Sequence, residues 1–328
     1  MFKLPSRVYV YTIGDVIAIY RNIISSGEDS IIIDASATEY IDPLGLCVLA
    51  AFVNKLDEAS IQIAITGIEP GVFDYLRRMD FLKQCRMDKG LPADGGRRNR
   101  ADSLVEVRRI TDRRDVEVAA AKLARAVIGS ISDVRLDDIP DEMSGKSQID
   151  RIENPLRYMF NELIENALTH GRGHGFGKAT AWIAAQYYPR SGKMRLAVVD
   201  DGCGYLESLR GHPALGAQTH AAAITTALKA KVSRNRDVGL GQDSVNEGVG
   251  LTVTREIALS ADGCLALASG DAWLADYAGN RRENKVIPEW QGVAAYVELK
   301  RERLQQVDLM TIMQKLPGYA LVKGIKFE

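Results

Sequence analysis

The stretch Asn154-Pro155-Leu156-Arg157-Tyr158-Met159-Phe160-Asn161-Glu162-Leu163-Ile164-Glu165-Asn166-Ala167-Leu168-Thr169-His170 decides how the chain is read. Leu156, Phe160, Leu163 and Ala167 recur at helical spacing and predict a buried stripe. Asn154 is a good N-cap, Pro155 suits a first turn and Gly171 a stop, so a helix over Asn154 to His170 is expected. Glu162 and Asn166 stand four apart and share one face, a turn from each other. A carboxylate so placed can accept a proton from an attacking water or orient it. A carboxamide oxygen can hold a hard cation such as Mg²⁺. Taken alone, such a pair more often belongs to a solvated helix face.

Further along, the apolar run Met194 to Val199 predicts a buried strand that ends in Asp200-Asp201-Gly202-Cys203-Gly204. Asp200 can accept a hydrogen bond from an exocyclic amine in an apolar pocket, and the glycines let the backbone turn close to a ligand. A plain turn between strands explains the same residues. A third stretch, Asn246-Glu247-Gly248-Val249-Gly250-Leu251-Thr252, runs into a helix through Val253 to Leu259. Glycines at a helix N-terminus bare N–H groups where the helix dipole is positive, which makes a phosphate cradle. Gly239-Leu240-Gly241 is a rival for that role, but the helix follows Gly248 and Gly250.

In this order the three stretches resemble the GHKL (Bergerat-fold) ATPases. Asn161 to Ala167 is similar to their N box, Asp200 to Gly204 to their first glycine box, and Gly248 to Leu251 to their second. The resemblance covers roughly residues 104 to 300. It implies ATP and Mg²⁺ as cofactors. Asn166 would hold the metal, Glu162 would be the general base, and Asp200 would read the adenine amine. Gly202 and Gly204 would hinge a lid spanning Tyr205 to Glu247, while Gly248, Gly250 and Leu251 would wrap the phosphates. Thr252 would add a hydroxyl contact, and His170 with Gly171 would close the N-box helix. The family's late Gly-Thr step is incomplete here: Gln291-Gly292-Val293 keeps the glycine and lacks the hydroxyl. The expected lid carries Lys229, Lys231, Arg234 and Arg236, which suit either phosphates or solvent.

Before this domain, strand and helix signals alternate. Strands are expected over Arg7 to Tyr11, Ile31 to Ile33 and Ile61 to Thr66, and helices over Asp15 to Ile24, Leu44 to Leu56 and Glu69 to Met79. That alternation predicts a sheet with helices on it. Ile31-Ile32-Ile33-Asp34 and Tyr40-Ile41-Asp42-Pro43-Leu44-Gly45-Leu46 resemble a STAS domain, the fold of anti-sigma-factor antagonists, over roughly residues 5 to 86. Regulated members carry a phosphorylatable serine where this chain has Pro43. With Leu44 following, no hydroxyl is available there, and the module reads as a docking or dimerisation unit, with a phospho-switch at some other serine as the alternative.

The fold expected is therefore α/β: a STAS-like βα domain over 1–90, a Gly- and Pro-rich linker over 91–103, a Bergerat-fold sandwich over 104–300 with a mixed sheet and helices on one face, and a helical tail over 301–328. Within the second domain a strand is expected over Leu104 to Ile110, a helix over Asp115 to Ile131, and a docking helix over Leu304 to Leu316. The 328 residues suffice for two domains, and 46% hydrophobic with 26% charged residues is the balance of a folded protein.

A net charge of −1 gives no global pull toward nucleic acid or membrane. The Arg97, Arg98, Arg100, Arg108, Arg109, Arg113, Arg114 cluster lacks interleaved aromatics, so nucleic acid is a weak expectation. No apolar run nears the roughly 20 residues that span a bilayer. The four scattered cysteines form no C-x-x-C pair, and a reduced, cytoplasmic setting is expected.

Fold resemblance does not choose a function. No histidine sits on a dimerisation helix upstream, against a histidine kinase. Too little chain follows Lys300 for the transducer domain of a topoisomerase or mismatch-repair protein. A nucleotide-dependent switch or slow ATPase acting on a protein partner is expected. Its alternatives are an anti-sigma-type serine kinase acting on a separate STAS-like partner and a non-hydrolysing ATP-binding module. A homodimer is compatible with each.

Overall fold

The structure is a computed structural model that describes residues 1–87, 104–129, 147–171, 179–230, 232 and 248–316. The chain opens with β1 (Phe2–Lys3), β2 (Arg7–Val8), α1 (Ile13–Ser26), β3 (Ser30–Asp34), β4 (Tyr40–Ile41), α2 (Pro43–Glu58), β5 (Gln62–Thr66), α3 (Pro70–Arg78) and α4 (Phe81–Gln84). Strands β1, β3 and β5 form a parallel sheet in that order, and β2 pairs with β4. The strand expected over Arg7 to Tyr11 stops at Val8, because the chain turns there. The Thr12 hydroxyl accepts the Tyr9 N–H at 3.2 Å and donates to the Arg7 carbonyl at 2.6 Å.

Helix α2 begins as the sequence predicts. The Asp42 carboxylate accepts the Gly45 N–H at 2.9 Å, and Pro43 occupies the first turn. From Pro43 to Val53 every residue is buried. A helix apolar on all sides needs partners on all sides, and the second half of the chain supplies one.

That half contains β6 (Leu104–Ile110), α5 (Val116–Gly129), α6 (Gln148–His170), β7 (Ala181–Tyr188), β8 (Lys193–Asp200), α7 (Gly204–Ser208), α8 (His220–Ala227), α9 (Gly250–Ser260), β9 (Cys264–Tyr277), β10 (Arg281–Lys300) and α10 (Leu309–Gln314). The five strands form one sheet in the order β6-β7-β8-β10-β9, and every neighbouring pair is antiparallel. The expected mixed sheet is thus corrected. Short turns join β7 to β8 and β9 to β10, and short turns can only connect antiparallel neighbours. In the second turn Gly279 and Asn280 adopt left-handed φ of 80° and 59°.

Helices α5, α6 and α9 cover one face of this sheet, burying Phe160, Leu163 and Ile164 against Leu196, Val198, Leu267 and Val297. The other face is covered too, which corrects the expectation of helices on one face. Trp182, Ala184, Ala197, Val199, Ala266 and Ala268 point the other way and join Leu46, Leu49, Phe52 and Val53 of α2 in one continuous core. Strand residues alternate between faces, and here both faces are apolar: Ala181 to Ala185 are all buried. The small alanines let α2 lie close to the sheet.

Helix α6 starts earlier than expected. Ser147 is its N-cap, accepting the Asp150 N–H at 3.1 Å while the Asp150 carboxylate accepts the Ser147 N–H at 2.9 Å. This reciprocal pair satisfies two orphan donors, whereas Asn154 and Pro155 lie inside the helix. In the tail, a 3-10 turn (Arg301–Gln306) precedes α10, which Asp308 caps by accepting the Met310 N–H at 3.0 Å. The single helix expected from Leu304 is broken there, although Ile312 and Met313 are buried as a docking helix requires. The linker over 91–103, the side chain of His170, and Lys231, Arg234, Arg236, Gly239 to Gly241, Asn246 and Glu247 lie outside the described residues.

Candidate functional site

One face of α6, the C-terminal end of β8 and the start of α9 converge on a cavity of about 840 Å³, counting its open mouth. Glu162, Asn166, Asp200, Gly204, Gly248, Gly250 and Leu251 all line it. Three stretches far apart in sequence are brought together because β8 lies in the sheet beneath α6, and α9 packs beside α6.

Asp200 ends β8 and is 4% exposed. Its Oδ1 accepts the N–H groups of Gly202 at 2.9 Å and Val293 at 3.2 Å, and among the described residues Oδ2 takes no hydrogen bond. Burial is the main cause that pushes its pKa up to about 7; Asp201 adds to the rise, while the two backbone N–H groups and the Lys55 ammonium of α2 oppose it. The carboxyl is therefore aimed by the backbone and poised between charge states, among the apolar side chains of Val198, Leu209, Val293 and Ala295.

The glycines have separate reasons. A Cβ at Gly202 would overlap Gly171, so the turn after β8 rests directly on the C-terminus of α6. Gly204 has φ 72°, and a Cβ there would press on the Ser269 hydroxyl. That hydroxyl accepts the Tyr205 N–H at 3.1 Å and donates to the Gly292 carbonyl at 2.9 Å, fastening the turn to β9 and β10. Gly202 thus supports the cavity from behind and is not part of its lining.

Glu162 faces the start of α9. A Cβ at Gly250 would collide with its carboxylate. Burial chiefly, and the neighbouring charge of Glu165, push the Glu162 pKa up to about 7, while the Tyr158 hydroxyl draws it down. Among the described residues no side chain caps α9, whose first residues line the cavity beside Gly248, which has φ 81°. A helix start of this kind favours an anion.

Thr252 goes elsewhere. It does not line the cavity, and its hydroxyl donates to the Leu228 carbonyl at 3.0 Å, tying α9 to the end of α8. Sequence reasoning missed the wall formed by Tyr205, Ser208, Leu209, Ala227 and Val232. Its only sequence signal was the apolar spacing of Tyr205, Leu206 and Leu209 directly after the glycine turn. Gly292 has φ 108°, and a Cβ there would overlap the Asp200 carbonyl oxygen. The neighbouring Val293 meets the Asp200 carboxyl with its N–H, in a strand position where the sequence lacks a hydroxyl.

The cavity thus joins an apolar chamber holding one acceptor, Asp200, to a polar rim of the Glu162 carboxylate, the Asn166 carboxamide and the start of α9. It suits a ligand with a flat apolar part that donates a hydrogen bond and an anionic part. Among the described residues no three His, Cys, Asp or Glu side chains form a metal cluster, and no helix is long and apolar enough to cross a membrane.

Comparison with known families adds one match: the STAS domain model matches residues 1–91. The N-terminal module is a STAS domain. Neither the curated proteins nor the solved structures yield a match to this chain.

Proposed function

We propose that the cavity binds ATP with Mg²⁺ and that the chain is a nucleotide-dependent regulatory protein with slow hydrolysis, built on a Bergerat-type ATPase domain. The observation that carries this reading is the convergence of Glu162, Asn166, Asp200 and the uncapped start of α9 on one cavity. An antiparallel sheet covered on one face by α5, α6 and α9 supports it. Asp200 accepts the adenine amine, Gly248, Gly250 and the first N–H groups of α9 receive the phosphates, and Glu162 orients the attacking water. A half-buried carboxyl with a pKa near 7 suits general-base work at neutral pH. Mg²⁺ fits the donor set: it is commonly held by one or two protein oxygens together with phosphates and waters, and the Asn166 amide oxygen is such a donor. Bound there, the ion would neutralise phosphate charge.

The second reading is a serine kinase whose acceptor lies on another protein, a STAS-like or regulatory partner. The STAS domain in this chain favours a signalling setting. Its own helix start cannot be the acceptor, because Asp42 is fully buried and Pro43 and Leu44 have no hydroxyl.

The test follows the γ-phosphate of labelled ATP with Mg²⁺ in wild type and Glu162→Ala. Free phosphate from wild type, lost in the variant, is the expected result. Bound ATP with no release would overturn hydrolysis and leave the kinase or a pure binding switch. Absence of binding would overturn the nucleotide reading itself.

A further inference from the structure

Trp290 links the cavity to the STAS domain. Trp290 is 1% exposed and lies in an irregular stretch of β10, where the register against β9 shifts between Val286 and Trp290 and again between Trp290 and Val293. Bulges of this kind re-aim side chains next to sites. The indole N–H of Trp290 donates to the main-chain carbonyl of Asp200 at 3.2 Å. Three residues on, the Val293 N–H donates to the Asp200 carboxyl at 3.2 Å. One short piece of β10 therefore sets both the backbone and the carboxyl of Asp200. Between the two contacts, Gly292 packs so tightly against the Asp200 carbonyl that not even a Cβ fits.

The other side of the same piece belongs to the STAS domain. The Trp290 ring meets Tyr20 of α1 edge-on, with centroids 6.0 Å apart, and Tyr20 meets Phe52 of α2 at 5.4 Å. Ile287 lies against Gly14, and Glu289 pairs with Arg21 at 3.5 Å. The ring that carries this indole N–H is thus packed against α1 and, through Tyr20, linked to α2.

We propose that Trp290 is a positioning residue for Asp200, and that through it the STAS domain sets the affinity of the cavity for its ligand. The proposal rests on the nucleotide reading for the identity of that ligand and on the geometry for everything else. A shift of α1 or α2 moves the Trp290 ring, and with it the Val293 N–H that aims the carboxyl. Because coupling between two sites is mutual, a ligand that requires Asp200 in place also tightens the hold of the STAS domain on the sheet.

The experiment compares wild type, Trp290→Phe and Tyr20→Leu, with Trp273→Phe as control. Phenylalanine keeps the ring and removes the donor, and Tyr20→Leu perturbs the STAS end if Trp290→Phe fails to fold. Trp273 is equally buried but holds Lys285 at 4.9 Å and makes no bond to Asp200. Two quantities are read: amide hydrogen exchange at Gly202 and Val293 without ligand, and the dissociation constant for MgATP. The expected result is faster exchange at those two amides and binding weakened about three- to tenfold, the worth of one hydrogen bond, in both variants and not in the control. Unchanged exchange and affinity in the folded variants would overturn the proposal. So would exchange raised uniformly across the sheet, which reports lost packing alone. If wild type fails to bind MgATP, the nucleotide reading falls, and the exchange arm still decides the role of Trp290.

Discussion

The carboxylate of Glu162 occupies the space in which a side chain at Gly250 would stand. The helix whose first residues line the cavity thus begins in contact with the carboxylate proposed as the general base. Within a helix interior alanine is ordinarily better than glycine by about 1 kcal/mol, and less so at the first residue, where Gly250 stands. Here Gly250→Ala is expected to displace the flexible end of Glu162 and to destabilise by about 1 kcal/mol, the low end of the range for overpacking. The double variant Gly250→Ala with Glu162→Ala relieves the collision and is expected to recover most of that loss. A double-mutant cycle in urea measures the coupling.

Two carboxyls of the site titrate unusually. Asp200 rises from 3.8 to about 7 and Glu162 from 4.5 to about 7, and beneath the sheet the buried Asp42 rises from 3.8 to about 6. Folded values above unfolded ones mean that the folded protein holds protons the unfolded chain has already released. Stability from these groups is therefore complete below about pH 4, falls as pH rises toward 7, and then levels off. Asp200→Asn removes one such group, so its melting temperature is expected to fall less than that of wild type between pH 5 and pH 8. It should also weaken MgATP binding most above pH 7, where wild-type Asp200 is ionised and accepts best. Melting curves and titrations at both pH values check these outcomes.

Residues 1–87 are as much a lid on the sheet as a domain of their own. Without them Trp182, Trp290 and Tyr296, all buried, would face water over one whole side of the sheet. A chain beginning at residue 104 is expected to be insoluble or to bind a hydrophobic dye strongly, whereas the full chain does not. Phe52→Ala in the full chain should cost about 3–5 kcal/mol and should loosen exchange in β7 and β8 as well as in the STAS domain. Loss confined to the STAS half would contradict a shared core.

How far the sequence spoke depended on whether a signal was local. The Asp42-Pro43 start of α2 was legible because cap and helix are neighbours in sequence. The cavity's polar residues were legible because Glu162 and Asn166 share a helix face and Asp200 ends an apolar strand. The start of α6 was misread because Asn154 and Pro155 imitate a cap, while the Ser147-x-x-Asp150 pair that serves as one lies before them. Strands β7 and β9 went unread, since alanines such as Ala184 and Ala266 carry little strand signal. Their small size is explained only by α2 packing against them, a long-range fact. Thr252 shows the converse limit: its place after two glycines suggested a ligand, and a carbonyl on α8 takes its hydroxyl.

Asp276 makes the last prediction, because it fixes where α9 points. Its side chain is 3% exposed and accepts from Arg255 of α9 and, at 2.7 Å, from Arg282 of β10. Burial opposes its charge, but the hydrogen bonds and charges of the two guanidinium groups outweigh it and hold the carboxyl below its usual 3.8. The sign is opposite to that of Asp200. This stability is present above about pH 4 and is lost as pH falls through the lower, folded value. Asp276→Asn leaves Arg282 without this counter-charge and Arg255 with Glu256 alone. Removing one member of a buried pair costs about 3–5 kcal/mol, and because both arginines still reach water the lower end is expected here. The variant should therefore melt well below wild type at pH 7, and the gap should narrow as pH falls below 3.8. With α9 freed from the hairpin, the helix start at Gly250 loses its aim, so MgATP binding should weaken together with stability. Equal melting at pH 7 would mean that the hairpin places α9 without help from this carboxylate.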